Sequence, residues 1–129
     1  YEGDAWPLPD NVFSHPRSAG TFAKVLRSYV RERGLLSLNE AIRKMSLMPA
    51  QTLEGFVPQM RLKGRIQIGM DADIVVFDPE TIADKATYQG SNQPAVGVQT
   101  VLVNGGFVVR DGELVLDAPH GQPIRRQVR

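Results

Sequence analysis

A chain of 129 residues with 42% hydrophobic and 22% charged side chains has the size and composition of one globular domain, or of a piece of something larger. Fifteen Lys and Arg against fourteen Asp and Glu give no basic excess of the kind a nucleic-acid binder carries, so no nucleic-acid partner is expected. The lack of cysteine excludes disulfide scaffolds, thiolate zinc sites and cysteine nucleophiles, and suits a reducing compartment, which makes the cytoplasm the expected location.

No apolar run approaches the roughly 18 residues of a membrane span, and Tyr1-Glu2-Gly3-Asp4 has neither the basic nor the apolar region of a signal peptide. No membrane partner is expected. A chain opening on Tyr1 without an initiator Met reads as processed, trimmed or internal to a longer one. Residues 1–16 carry Pro7, Pro9, Pro16 and isolated aromatics and read as an irregular loop.

From 18 to 33, Phe22, Val25, Leu26 and Tyr29 recur at i, i+3, i+4 and i+7 among charged residues, which predicts an amphipathic helix ended by Gly34. Ser37-Leu38-Asn39-Glu40 has the pattern of a capping box, in which the Ser hydroxyl accepts from the amide three residues on and the Glu carboxylate returns to the cap amide. A second helix is predicted there, with Leu38, Ala41, Ile42 and Met45 on one face. Met48-Pro49-Ala50 predicts a break and a short third helix over 49–54.

After Gly55 the period changes. Residues 61–69 alternate with period two and predict a strand, and Ile74-Val75-Val76-Phe77 is a continuous apolar run that predicts a strand buried on both faces. Segments 98–103, 107–109 and 114–116 are separated by Asn104-Gly105-Gly106 and Asp111-Gly112, the pattern of a three-stranded meander. The polar stretch 79–97 reads as a long loop with a turn of helix near 80–84, and connections of that length are usually functional or mobile. Residues 119–129 read as a solvated or packing tail. The predicted class is α+β, with two to three helices followed by about five antiparallel strands.

No catalytic constellation is complete on the residues alone. His15 and His120 are far apart and neither belongs to a His-x-His or His-Glu-x-x-His pair, Ser14-His15 is adjacent rather than facing, and no glycine loop cradles phosphate. The sharper cluster is Asp4, His15 and Arg17 in a proline-pinned loop ahead of a helix. Arginine suits the bidentate grasp of a carboxylate, and Asp4 suits a metal or a proton relay. The same residues also suit a plain ion pair and a turn cap.

His15-Pro16-Arg17-Ser18-Ala19-Gly20-Thr21-Phe22 resembles the HPR-x-x-GTF segment of the N-acyl-D-amino-acid deacylases (D-aminoacylases) of the amidohydrolase superfamily. Glu40-Ala41-Ile42-Arg43-Lys44-Met45, Pro49-Ala50, the run from Gly64 to Pro79 and Val103-Asn104-Gly105 are similar to later segments of the same family. The resemblance implies a metal-bearing (β/α)8 barrel, a TIM barrel, with a small β-sandwich, of which this chain looks like the C-terminal portion. Residues 1–57 then form the last barrel loop and the C-terminal helices, and residues 58–129 the C-terminal strands of the sandwich.

The resemblance further implies a zinc-dependent hydrolase of N-acyl-D-amino acids whose metal ligands stand mostly outside this chain. Asp4 takes the place of the catalytic aspartate, which accepts a proton from metal-bound water and passes it to the leaving amine. Glu2 is the alternative register for that position, and either carboxylate is a candidate metal ligand. Arg17 holds the substrate's free carboxylate, and His15 organises the loop. The implied partners are the small N-acyl-D-amino acid and the N-terminal portion of the barrel, without which the chain is expected to be inactive. The alternative is a free-standing, non-catalytic α+β module that binds a small carboxylate or a partner protein.

Overall fold

Helix α1 (Arg17–Lys24) runs without a break into a π-helical segment (Val25–Glu32), and together they cover the helix predicted over 18–33. The second half is wound more loosely than predicted: the Arg33 N–H donates to the Ser28 carbonyl five residues back at 3.1 Å. Gly34, at φ +60°, closes the helix by donating its N–H to the Val30 carbonyl at 3.1 Å. The computed structural model describes residues 14–116 and 120–125; Glu2 and Asp4 lie outside the described residues.

Helix α2 (Leu38–Met45) starts where the capping pattern places it, with Ser37 Oγ accepting from the Glu40 N–H at 3.2 Å. The reciprocal half of the box does not form, because Glu40 turns outward to Arg43 Nε at 2.8 Å and Nη2 at 3.0 Å, with Lys44 at 3.5 Å. Two cations one turn further along outcompete a single backbone amide. Helix α3 (Leu47–Leu53) spans the predicted third helix with a start two residues earlier. Ala23 and Leu26 from the first helix and Ala41 from α2 form the buried core, and the fourth member, Ile82, arrives from the loop 79–97.

The strand predicted over 61–69 is not present. A 3₁₀ turn (Pro58–Leu62) occupies its start, and Gly64 and Gly69 then bend the chain at φ +71° and +86°. Gly64 also lies so close to α3 that a Cβ would stand 2.9 Å from the Ser46 carbonyl oxygen, a separation no other residue tolerates there. Alternation makes a strand only where a neighbouring strand accepts the hydrogen bonds, and among the described residues none does, so Ile66 and Ile68 stand exposed. The segment is instead tied down by Lys63, whose ammonium meets Asp71 at 2.9 Å and Asp73 at 2.5 Å. Partial burial lowers the Lys63 pKa and the two carboxylates more than reverse it, so the group is held above its usual range.

The sheet is antiparallel in the order β1 (Ile74–Phe77), β2 (Val98–Val103), β3 (Gly106–Arg110), β4 (Glu113–Leu114), four strands among the described residues rather than about five. Among the described residues strand β1 is an edge strand with β2 as its one neighbour, and Val75 and Val76 are 55% and 45% exposed, so it is not buried on both faces as predicted. A continuous apolar run does not by itself say that two layers cover it. Both hairpins form as the turn residues require: Asn104-Gly105 and Asp111-Gly112 have φ of 50°, 80°, 53° and 82°, the mirror-image turn that matches strand twist. Asp73 accepts the Asn104 N–H at 2.8 Å, which ties the Lys63 turn to the β2–β3 hairpin.

No helix forms at 80–84, and a single helical turn is wound slightly earlier, where the Ile82 N–H donates to the Asp78 carbonyl four residues back at 2.9 Å. Asp78 accepts the Glu80 N–H at 2.9 Å and the Thr81 hydroxyl at 2.8 Å, making a capped turn that drops Ile82 into the core. A single bridge between Ala83 and Val96 then pinches the base of the remaining loop. Within the tail, the His120 ring packs onto Gly106, filling the space a side chain would need there. The observed class is α+β, as predicted, and among the described residues no helix is long and apolar enough to cross a membrane.

Candidate functional site

Pro16, at φ −52°, is preset for helix entry and makes Arg17 the first residue of α1. Arg17, Thr21 and Lys24, spaced i, i+4 and i+7, share one face of this helix and line a cleft of about 560 Å³. Asp84, Ala86 and Tyr88 from the loop 79–97 form its other wall. Gly20 permits this closeness, since a Cβ there would lie 3.2 Å from the Asp84 Cβ and 3.5 Å from the Ala86 Cβ.

His15 sits between the two walls. The Arg17 N–H donates to His15 Nδ1 at 3.1 Å, which puts the proton of the neutral ring on Nε2, and Nε2 faces the Tyr88 hydroxyl at 3.3 Å. The two rings meet edge to face, with centroids 5.3 Å apart and an interplanar angle of 71°. One residue earlier, the Ser14 N–H donates to Ser91 Oγ at 2.9 Å, and Ser91 is 3% exposed.

The charges of the cleft do not cancel. Asp84 is held by Arg27 Nε at 2.8 Å, and Arg27 also meets Glu32 at 2.8 Å. Partial burial raises the Asp84 carboxyl, and the Arg27 hydrogen bond, aided by the charges of Arg27 and Lys24, more than reverses it, so Asp84 stays ionised below its usual range. Arg17 is exposed, and among the described residues no carboxylate pairs with its guanidinium. A guanidinium that is exposed and has no carboxylate partner among the described residues, on the same wall as Lys24 and in a cleft where Asp84, the one carboxylate among the described lining residues, is already taken, suits a small anion.

Of the residues singled out in the sequence, His15 and Arg17 come together here, while Asp4 and Glu2 lie outside the described residues. Among the described residues no three His, Asp, Glu or Cys side chains converge as metal ligands, so this segment does not fit a metal centre on its own. The residues that sequence reasoning passed over are Asp84, Tyr88 and Ser91. They stand in a polar stretch without periodicity, and the one signal was the stretch's length.

Residues 4–109 match the amidohydrolase family. The chain is 41% identical over 98 residues to the N-acyl-D-glutamate deacylase of Alcaligenes xylosoxydans xylosoxydans, covering 76% of this chain and 19% of that one. Its fold superposes on a crystal structure of D-aminoacylase with a TM-score of 0.69 and 41% identity, covering 78% of this chain and 20% of that one. For the N-acyl-D-glutamate deacylase of Bordetella bronchiseptica, complexed with zinc and a phosphonate mimic of the tetrahedral intermediate, the TM-score is 0.66 and the identity 41%, over 78% of this chain and 22% of that one. The chain spans about a fifth of the length of these curated relatives. With the family matched over most of its length and the fold superposing on two deacylase structures, this chain belongs to the amidohydrolase family.

Proposed function

We propose that this chain is the C-terminal portion of a zinc-dependent deacylase that hydrolyses the amide bond of N-acyl-D-amino acids, releasing a carboxylate and a D-amino acid. Residues 1–57 supply the last barrel loop and the C-terminal helices of the catalytic barrel, residues 58–129 supply strands of the small β-sandwich, and the enzyme works in the cytoplasm. The observation that carries this reading is the Arg17 guanidinium: exposed, without a carboxylate partner among the described residues, on the wall of a cleft, in a chain 41% identical to an N-acyl-D-glutamate deacylase.

Arg17 binds the free carboxylate that every N-acyl amino acid presents. Asp4 takes the proton from the attacking water and delivers it to the nitrogen as the C–N bond breaks and the oxygen joins the acyl carbon; Glu2 is the alternative carboxylate for that transfer. Zinc, when bound, would supply Lewis acidity at the amide, with its ligands mostly outside this chain. The support for zinc is the Bordetella relative, whose structure contains it.

The test compares N-acetyl-D-glutamate, N-acetyl-D-methionine and their L forms with the enzyme that carries this segment. Release of the free amine from D substrates and not from L substrates is the expected result, with the 129-residue chain alone silent. Failure of the longer enzyme to release amine from any N-acyl-D-amino acid would overturn the reading.

A further inference from the structure

We propose that Tyr88 is a second substrate-binding residue of the Arg17 cleft, its hydroxyl donating to the carboxylate that Arg17 grips; this rests on the deacylase reading. A phenol has one proton and two lone pairs. Because the Arg17 N–H occupies His15 Nδ1, the proton of the neutral imidazole is on Nε2, and the bond to Tyr88 Oη at 3.3 Å runs from the histidine to the tyrosine. Tyr88 is therefore the acceptor in that contact and its own proton remains to be given. Among the described residues nothing takes it.

The hydroxyl is also held in place. Thr87 and Gly90 exchange two hydrogen bonds, Thr87 N–H to the Gly90 carbonyl and Gly90 N–H to Thr87 Oγ1, both at 3.0 Å, so Tyr88 sits within a closed turn. Just beyond it the buried Ser91 fixes the chain to Ser14, and the edge-to-face contact with His15 fixes the ring. Tyr88 is nonetheless 73% exposed, so its backbone is anchored while the residue stays open to solvent. An ordered, exposed phenol and a guanidinium with no carboxylate partner among the described residues line the same cleft, with His15 bonded to the backbone of one and the hydroxyl of the other, and together they offer a small anion a two-point grip. The guanidinium supplies charge and the phenol supplies direction.

Tyr88→Phe keeps the ring and its edge-to-face packing on His15 while removing the hydroxyl, both the proton offered to the substrate and the exposed oxygen that accepts from His15 Nε2. In the enzyme that carries this segment, KM for N-acetyl-D-amino acids should rise about tenfold, with kcat within about twofold and the melting temperature unchanged. Equilibrium binding of N-acetyl-D-glutamate should weaken by a similar factor. An unchanged KM and Kd, or a loss confined to kcat, would overturn the role of Tyr88 while leaving the deacylase reading intact. Should the parent enzyme hydrolyse no N-acyl-D-amino acid, the deacylase reading falls and the binding arm judges Tyr88 by itself: weaker binding in Tyr88→Phe supports it, and equal binding, or none by the parent, rejects it.

Discussion

Gly97 lies so close to the backbone of Ile82 that a Cβ on it would stand 2.5 Å from the Ile82 nitrogen and 2.6 Å from its Cα. The same glycine is at φ +81°, and its carbonyl accepts the Asp78 N–H at 2.9 Å. This contact seats the one core side chain that the long loop contributes. Gly97→Ala combines a left-handed backbone with a backbone clash, and a loss of about 2 to 4 kcal/mol of stability is expected. Urea unfolding of the variant checks it, and a change below about 0.5 kcal/mol would show that the loop's base is not what secures Ile82.

Arg17→Ala should lower kcat/KM for N-acyl-D-amino acids by about 10- to 100-fold, the value of one charge-assisted contact to a carboxylate. The carboxylate is present in ground and transition states alike, so the loss should fall mainly on KM. Steady-state kinetics with N-acyl amines that lack the carboxylate provide the control: an equal loss there would remove Arg17 from its assigned place.

Asp4→Asn preserves shape and removes the proton-accepting charge. The shuttle role predicts a fall in kcat of about 100-fold or more with little change in melting temperature, and Glu2→Gln close to neutral. The reverse pattern would assign the transfer to Glu2, and two active variants would take the chemistry away from this loop.

Glu40 titrates at about 2 instead of its ordinary 4.5, chiefly because the Arg43 guanidinium hydrogen-bonds its ionised form. A carboxyl lowered on folding stabilises the fold fully above pH 4.5 and loses that contribution as the pH falls towards 2. The difference in unfolding midpoint between the parent and Glu40→Gln should therefore shrink across that interval. Because the pair is exposed, the difference at neutral pH should also shrink with added salt.

The helices were legible because their signals are local. Ser37 and the spacing of Leu38, Ala41 and Met45 need nothing beyond one turn of chain to act, and the Asn104-Gly105 and Asp111-Gly112 turns fold on their own dihedral preferences. Periodicity says less about what covers a face: Phe22 belongs to the apolar stripe of the first helix, yet it is 64% exposed while Ala23 and Leu26 take the core. Residues 61–69 had the alternation of a strand and no strand to pair with, which a single segment cannot reveal about itself. Arg17 was found by its chemistry and its motif. Its cleft was not, because the opposite wall is Asp84 and Tyr88, brought across by a loop whose anchors at Ile82 and Ser91 carry no pattern at all.

That loop is fastened to the first helix by Arg31, to the Pro79 carbonyl at 2.7 Å, and by Arg27, to Asp84 at 2.8 Å, and to the segment ahead of the helix through Tyr88 and His15 at 3.3 Å and Ser91 and Ser14 at 2.9 Å. A segment without a helix or a strand of its own is thereby held at points spread along its length. Its ordering entropy is spent when the chain folds, so a small anion entering the cleft meets a wall already in position. Recognition there needs no closing motion, and affinity should track the quality of two or three contacts rather than the stiffness of the loop.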